Sequence, residues 1–141
     1  MDYRALAEEM FHSIAKHAKS PFHQVPRDAS HGEIGILACL ARTGDGLSSG
    51  ELGRLLQITT GRVATALKSL EKKGYIVRRH DPRDKRRVLV YITEPGREFA
   101  MAKRERALSE IEKTLQLLGE EDAKELVRIV KRIFELSRSS G

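Results

Sequence analysis

DPRDKRRVLVYIT, residues 81–93, places two acidic and four basic side chains in seven positions and follows them directly with a β-branched, apolar run. YIVRR (75–79) and RVLVYI (87–92) both have the β-branched and aromatic content that is typical of strands. Only HDPRDKR (80–86) separates them, which is enough for a hairpin turn and too short for a helix. The sequence therefore predicts a wing, that is, a β-hairpin with a strongly charged tip.

A well-marked helix start lies upstream of the hairpin, in LSSGELGRLL (47–56). Ser48 and Glu51 have the spacing of a capping box, and Leu47 and Leu52 have the spacing of a hydrophobic staple. Three leucines are expected to form the buried stripe of this helix: Leu52, Leu55 and Leu56.

The next helix is predicted to be capped by Thr59 or Thr60 and to run to about Lys73, where Gly74 follows. Three apolar residues share one face: Val63, Leu67 and Leu70. The opposite face carries bases and short hydrogen-bonding side chains but no acid: Arg62, Thr65, Ser69 and Lys72, with Gly61 and Lys68 beside them. Two short helices joined by a tight turn, the second with such a face, predict a helix-turn-helix.

The positive charge of the chain is concentrated in this same region. The net charge is +6 over 141 residues, and the stretch from Arg54 to Val90 holds 11 Lys/Arg against 3 Asp/Glu, a balance of +8. A basic patch of this kind raises affinity for phosphate backbones, although a charge run is also common on an ordinary solvated face. The acid-free helix face and the basic wing favour a nucleic-acid surface.

Helical periodicity continues on the N-terminal side. Three apolar residues within 2–19 recur at a spacing of four: Leu6, Met10 and Ile14. SPFHQVPRDAS (20–30) contains two prolines and no periodicity, which predicts a loop. Ser30 and Glu33 have capping-box spacing and predict the start of a helix over 31–42.

On the C-terminal side, Thr93 is expected to cap a long helix from about Glu94. Its apolar positions are Leu108, Ile111, Leu115 and Leu118. Gly119 ends it, and acids open a last helix over 120–137. Four residues of that helix repeat in the rhythm of a packed seam: Leu126, Ile129, Ile133 and Leu136. They form either a dimer seam or the core of one chain, and the amphipathic helix at the other end of this small chain favours the dimer.

Residues 30–100 together resemble the MarR family (multiple antibiotic resistance regulators). Members of that family commonly carry a D-x-R-D-x-R-like wing, then a strand, then T-x-x-G at the start of a helix. The matching residues here are Asp81, Arg83, Asp84 and Arg86, the strand 88–92, and then Thr93 and Gly96.

The resemblance implies a mainly α (α+β) fold, in which a winged helix-turn-helix DNA-binding part is flanked by N- and C-terminal dimerisation helices. A single MarR-like domain would span 1–141. Its DNA-binding part would cover 30–92, and its helical dimerisation part would cover 1–20 and 94–139. The predicted dimer contacts are the two apolar sets named above, Leu6 to Ile14 and Leu126 to Leu136.

The resemblance also implies that a helix enters the major groove while the wing follows the adjacent minor groove. By motif position and by helix face, the predicted DNA-binding residues are Thr59, Thr60, Arg62, Thr65, Ser69, Lys72, Arg83, Lys85 and Arg86. Arginine can bond guanine through two hydrogen bonds, and a narrow minor groove attracts an inserted arginine. Asp81 and Asp84 are expected to hold the wing arginines through charge-assisted hydrogen bonds.

Other interpretations are weaker. The histidines before the winged helix, His12, His17, His23 and His31, lack the H-x-x-x-H spacing of a metal site, so no metal or other cofactor is expected. Cys39 lies among apolar neighbours, which favours a small buried residue over a redox sensor. A stripe that includes Phe11, Phe22, Tyr3 and Met10 is more typical of a core than of an effector pocket.

No catalytic constellation is visible, so an enzyme is not expected. The expected function is a cytoplasmic, homodimeric transcriptional regulator that binds double-stranded DNA, acts as a repressor and answers a small-molecule effector. No contact with a membrane is expected, since no apolar run is long enough to span a bilayer. The alternative is a winged-helix module for protein–protein interaction without a DNA role.

Overall fold

A computed structural model describes residues 1–16, 29–44 and 46–139. Within these ranges the chain is mainly helical with one small antiparallel sheet, which agrees with the predicted fold class. The elements are α1 (Tyr3–Lys16), α2 (Ala29–Thr43), α3 (Ser49–Leu56), α4 (Thr60–Lys72), β1 (Ile76–His80), β2 (Val88–Ile92), α5 (Glu94–Leu118) and α6 (Glu120–Ser139). None of the helices in the described ranges combines the length and the apolar character needed to cross a membrane.

The chain divides into two compact units, each with its own apolar core. The winged-helix unit extends from α2 to Lys103. The helical unit combines α1 with the chain from Arg104 onward. The domain limits expected from the sequence, with a DNA-binding part over 30–92, remain a prediction.

The core of the winged-helix unit is formed by one face of each of its helices and by the sheet. Val63, Leu67 and Leu70 of α4 are buried, as the periodicity predicts. Leu52 of α3 is buried, but Leu55 is 54% exposed, so its place in the predicted buried stripe is wrong. The reason is geometric, because Leu55 lies about 100° around the helix from Leu56, away from the packed face.

The start of α2 differs from the prediction. The helix already includes Ala29, so Ser30 lies within its first turn and not at the N-cap position. Glu33, the other half of the predicted capping box, is instead 8% exposed and accepts hydrogen bonds from Lys73 Nζ at 3.2 and 3.4 Å. Several sequence-based expectations lie outside the described residues: the loop before the helix, Phe22, His17, His23 and the side chain of His31.

The helical unit is held together by a second apolar core and by ion pairs. Helix α1 packs along α6, and five residues are buried in this core: Ala7, Leu108, Leu115, Ala123 and Val127. Arg4 donates two hydrogen bonds to Glu105, at 2.9 and 2.6 Å, which lower the pKa of the Glu105 carboxyl and raise the pKa of Arg4. Leu118, expected among the apolar positions of α5, is exposed at the end of the helix.

Helix α6 presents two apolar stripes. The stripe that the unit buries contains Ala123, Val127, Val130 and Phe134. The predicted seam lies beside it, and Ile129 and Leu136 are 41% and 55% exposed, whereas Leu126 is half-buried. The seam residues therefore do not form the centre of the single-chain core. Leu6, Met10 and Ile14 of α1 are half-buried, and the first two pack on the core of the unit. A dimer remains a prediction for both sets.

Candidate nucleic-acid interface

The start of α4 is built as the sequence predicts. Thr59 is the N-cap, and its hydroxyl oxygen accepts a hydrogen bond from the backbone N–H of Arg62 at 3.2 Å. The Thr65 hydroxyl donates to the carbonyl of Gly61 at 3.0 Å, so local bonds orient both threonines. Thr60, Arg62 and Thr65 are exposed at this end of the helix. Exposed donors at a helix start are the groups that approach base edges and phosphates in a helix-turn-helix.

The rest of the predicted α4 face is less uniform. Lys72 is exposed, whereas Ser69 is half-buried and its carbonyl accepts the backbone N–H of Lys73 at 3.1 Å. The turn before α4 depends on Gln57, which adopts a left-handed conformation (φ 56°) and ends α3 through a bond to Gly53. A non-glycine residue seldom takes this conformation, so the sequence contains no signal for it.

The wing forms as predicted, with β1 paired antiparallel to β2. At its tip, the backbone N–H of Asp81 donates to the carbonyl of Arg87 at 2.8 Å, and the N–H of Arg87 donates to the carbonyl of Asp84 at 2.9 Å. Arg83, Lys85 and Arg86 are exposed on this turn. The tip therefore presents three bases on a backbone that its own hydrogen bonds hold in place.

The two acids of the tip, which are expected to hold the wing arginines, both accept hydrogen bonds within the turn. Asp81 Oδ1 accepts the backbone N–H of Arg83 at 2.9 Å. Asp84 Oδ1 accepts the backbone N–H of Arg86 at 3.1 Å and its Nε at 3.3 Å. Asp84 thus contacts an arginine side chain, while the described bond of Asp81 is to the main chain. Both carboxylates close turns of the Asx type, which explains why acids lie beside so many bases.

The hairpin is anchored to α5 by the T-x-x-G motif. The Thr93 hydroxyl donates to the carbonyl of Gly74 at 2.6 Å and accepts the backbone N–H of Gly96 at 3.2 Å. The backbone N–H of Thr93 donates to the carbonyl of Tyr75 at 3.0 Å. A Cβ on Gly96 would lie 2.1 Å from that same carbonyl oxygen. The motif therefore joins the end of β2 and the start of α5 to the entry of β1, where only glycine fits.

The central basic residues fall into two groups. Three of them pair with acids inside the winged-helix unit: Lys73 with Glu33, Arg78 with Glu71 at 3.6 Å, and Arg87 with Glu51. Arg86 pairs with Asp84 of the tip. The remaining central bases form no ion pair among the described residues. The unpaired group contains Arg54, Arg62, Lys68, Lys72, Arg79, Arg83 and Lys85. These charges are available for phosphates, whereas the paired ones hold elements together.

The sequence favours neither a redox role for Cys39 nor a metal site at the histidines. Cys39 is buried in the core of the winged-helix unit. Within the described ranges, no three His, Cys, Asp or Glu side chains are grouped as metal ligands would be. Sequence reasoning missed the pairings of Glu33 and Glu51, since long-range partners leave no local pattern. It did identify Glu51 as a capping residue, and the structure confirms that capping box.

Comparison with known proteins agrees with this geometry. Residues 27–87 match the sequence profile of the MarR family. The HTH-type transcriptional regulator YcgE of Bacillus subtilis is 36% identical over 81 residues, which are 57% of this chain and 47% of that protein, so the match spans about half of the relative. In the S. aureus MepR–DNA complex, MepR is 26% identical with a TM-score of 0.55, over 72% of this chain and 78% of that one. A mutant form of S. aureus MepR is 25% identical with a TM-score of 0.64, and the match covers 100% of both chains.

Proposed function

Because the chain belongs to the MarR family of winged-helix transcriptional regulators, we propose that it is a homodimeric repressor that binds a pseudo-palindromic operator and leaves it when a small-molecule effector binds. The proposal that the chain binds DNA rests on the surface of the winged-helix unit. That unit exposes both an acid-free start of α4, at Thr60, Arg62 and Thr65, and a wing tip with three bases.

Each element suits a different part of a DNA duplex. A helix fits the major groove, where Arg62 can bond guanine and the threonines can bond bases or phosphates. A hairpin with an extended arginine fits the adjacent minor groove, where a narrow A·T tract concentrates negative potential. The Arg86 side chain is 93% exposed, so it can reach beyond the tip. The MepR–DNA complex, with the same fold, supports DNA as the partner.

A homodimer is supported by the apolar surface of the helical unit. Ile129 and Leu136 on α6 and Leu117 at the end of α5 are exposed, although large apolar side chains tend to be buried. A two-fold dimer would bring two copies of α4 to half-sites about one helical turn, ~10 bp, apart. Light scattering is expected to report a dimer at micromolar concentration, and footprinting is expected to show two protected half-sites. A monomer or a single half-site would contradict the dimer.

The competing function, a protein–protein module, differs in its response to salt. If phosphates dominate binding, the logarithm of affinity falls linearly with the logarithm of salt concentration, with a slope of about −0.9 per phosphate contact. We therefore propose a salt titration of binding to the DNA upstream of the protein's own gene, with a scrambled duplex as the control. The matched control variant is Arg106→Ala, an exposed base of the helical unit, which is expected to leave affinity and slope unchanged. Equal binding to both duplexes would refute a sequence-specific regulator.

Repression and relief by an effector are supported by family resemblance. Deletion of the gene is expected to raise transcription of a reporter driven by its own upstream region. A fall in transcription would indicate an activator instead. An effector is expected to be a compound that releases the protein from the selected duplex in a gel shift and does not change the binding of an unrelated DNA-binding protein.

A further inference from the structure

Two charged residues meet where the wing joins the helix-turn-helix. Glu51 lies in the first turn of α3, and Arg87 lies directly before β2. Their side chains form an ion pair, in which the Glu51 side chain is 24% exposed and the Arg87 side chain is 44% exposed. The other oxygen of Glu51 accepts the backbone N–H of Ser48 at 3.4 Å, which completes the capping box of α3. One carboxylate thus caps the start of α3 and binds Arg87 of the wing.

Both partners are attached to backbone that is itself hydrogen-bonded. The N–H and the carbonyl of Arg87 both take part in the hydrogen bonds that close the wing turn, with Asp84 and Asp81. On the other side, Leu47 directly precedes the cap and pairs with Val90 of β2 through two hydrogen bonds of 2.8 and 3.2 Å. The start of α3 and the wing are therefore joined twice, once through the backbone at Val90 and once through the side chains of Glu51 and Arg87. The second joint lies nearer to the wing tip.

We propose that Glu51 and Arg87 are positioning residues, whose ion pair fixes the wing relative to α3 and α4 so that both elements meet one operator at the same time. This proposal rests on the proposed function. It assigns Arg87 a role different from that of Arg83 nearby, because the charge of Arg87 is already bound to a carboxylate of another element. A partly exposed ion pair contributes little to the free energy of unfolding. We therefore expect the loss of this pair to change DNA binding, through the position of the wing, more than it changes stability.

The capping box allows a selective test, because glutamine can replace glutamate at its third helical position. Glu51→Gln keeps the hydrogen bond to Ser48 and removes the charge that holds Arg87. Arg87→Gln removes the other partner, and Arg83→Gln serves as the matched control for an exposed wing base. The DNA probes are a duplex selected from a randomised library on the wild-type protein and a scrambled duplex of the same composition.

Glu51→Gln and Arg87→Gln are each expected to weaken binding to the selected duplex about two- to fivefold, the size of effect that a partly exposed ion pair can supply. Binding to the scrambled duplex and the salt slope are expected to stay unchanged. The double variant is expected to be no weaker than either single variant, because the two residues act as one pair. Arg83→Gln, in contrast, is expected to weaken both duplexes and to reduce the salt slope by about one unit.

Three results of the DNA-binding measurements would overturn the proposal. A salt slope reduced by about one unit in Arg87→Gln would show that Arg87 contacts a phosphate. Tighter binding by Glu51→Gln would show that the carboxylate only repels DNA. Additive losses in the double variant would show that the two residues act independently.

A measurement without DNA separates this proposal from the proposed function. Backbone ¹⁵N relaxation is expected to show larger nanosecond motion of the tip, residues 81–87, in Glu51→Gln and Arg87→Gln than in the wild type. Unchanged order parameters would refute the positioning role whatever the DNA results are. If the randomised library yields no enriched sequence, sequence-specific binding fails, and the relaxation data still decide whether the ion pair holds the wing.

Discussion

Gly96→Ala tests the joint between the wing and α5. A Cβ at this position would lie 2.1 Å from the carbonyl oxygen of Tyr75, 2.9 Å from its carbonyl carbon and 3.0 Å from Cγ1 of Ile92. The first two atoms belong to the backbone, so no side-chain rotation relieves the contact. The start of α5 must then move by about an ångström away from the entry of β1 to restore ordinary contact distances.

The expected loss of stability follows from three contributions. Overpacking of this kind costs about 1–3 kcal/mol. The hydrogen bond from the Thr93 N–H to the Tyr75 carbonyl shares the crowded oxygen, and its loss adds about 1 kcal/mol. Alanine favours the helix over glycine by about 0.5–1 kcal/mol, which offsets part of the loss. The net destabilisation is therefore about 2 kcal/mol, equivalent to about 8 °C in Tm for a chain of this size.

Urea denaturation followed by far-UV circular dichroism measures this change in the free energy of unfolding. The matched control is Gly32→Ala in α2, where a Cβ would meet no atom within 4 Å. That variant is expected to gain about 0.5–1 kcal/mol from helix preference alone. If Gly96→Ala stays within about 0.5 kcal/mol of the wild type while Gly32→Ala behaves as expected, steric exclusion does not explain the glycine of the T-x-x-G motif.

Further predictions concern the interface and the helical unit. Arg62→Ala is expected to cost about 1–3 kcal/mol of operator binding and to relax base preference at one position per half-site, and competition gel shifts with single-base operator variants measure both. The double variant Arg83→Ala, Arg86→Ala is expected to weaken operator binding and to reduce the salt slope while the Tm barely moves; wild-type affinity would show that the tip is only solvated. Because the Arg4 hydrogen bonds lower the pKa of Glu105, the stability that Glu105 contributes is present above its unfolded-state pKa and is lost as pH falls through the lower folded-state pKa. The Tm difference between wild type and Glu105→Gln is therefore expected to be constant well above the unfolded-state pKa of glutamate, about 4.3, and to shrink as pH falls below it, and a difference that does not shrink with falling pH would contradict this cause.

Local chemistry makes the winged helix predictable from the sequence. The Ser48 and Glu51 capping box, the Thr59 cap and the strands on either side of the charged turn all depend on residues within a few positions of one another. The exposed face of α4 is predictable for the same reason, since helical periodicity places Arg62 away from the buried Val63 stripe. These features can be predicted from a single sequence because the interacting residues lie within a few positions of each other.

Features that depend on distant partners could not be predicted. The sequence predicts a helix-capping role for Glu33, whereas this residue accepts hydrogen bonds from Lys73, 40 positions away. Arg87 counts among the central bases in the sequence, although its charge is directed to Glu51. In both cases a charged residue looks identical in the sequence whether it faces solvent, DNA or a carboxylate. The tertiary fold alone decides which of these it meets.

The two stripes of α6 show why the dimer surface is harder to derive than the DNA surface. Val127 and Phe134 are buried inside the helical unit, while Ile129 and Leu136 remain exposed on the adjacent stripe. Both stripes follow a three–four apolar rhythm, so periodicity alone cannot tell an internal core from an external seam. Packing of α1 along α6 resolves this, because it covers one stripe and leaves the other at the surface. An exposed apolar stripe next to a completed core is the pattern expected when a second chain covers that stripe. The proposed mode of operator binding needs such a dimer, so a measurement of the oligomeric state tests it directly.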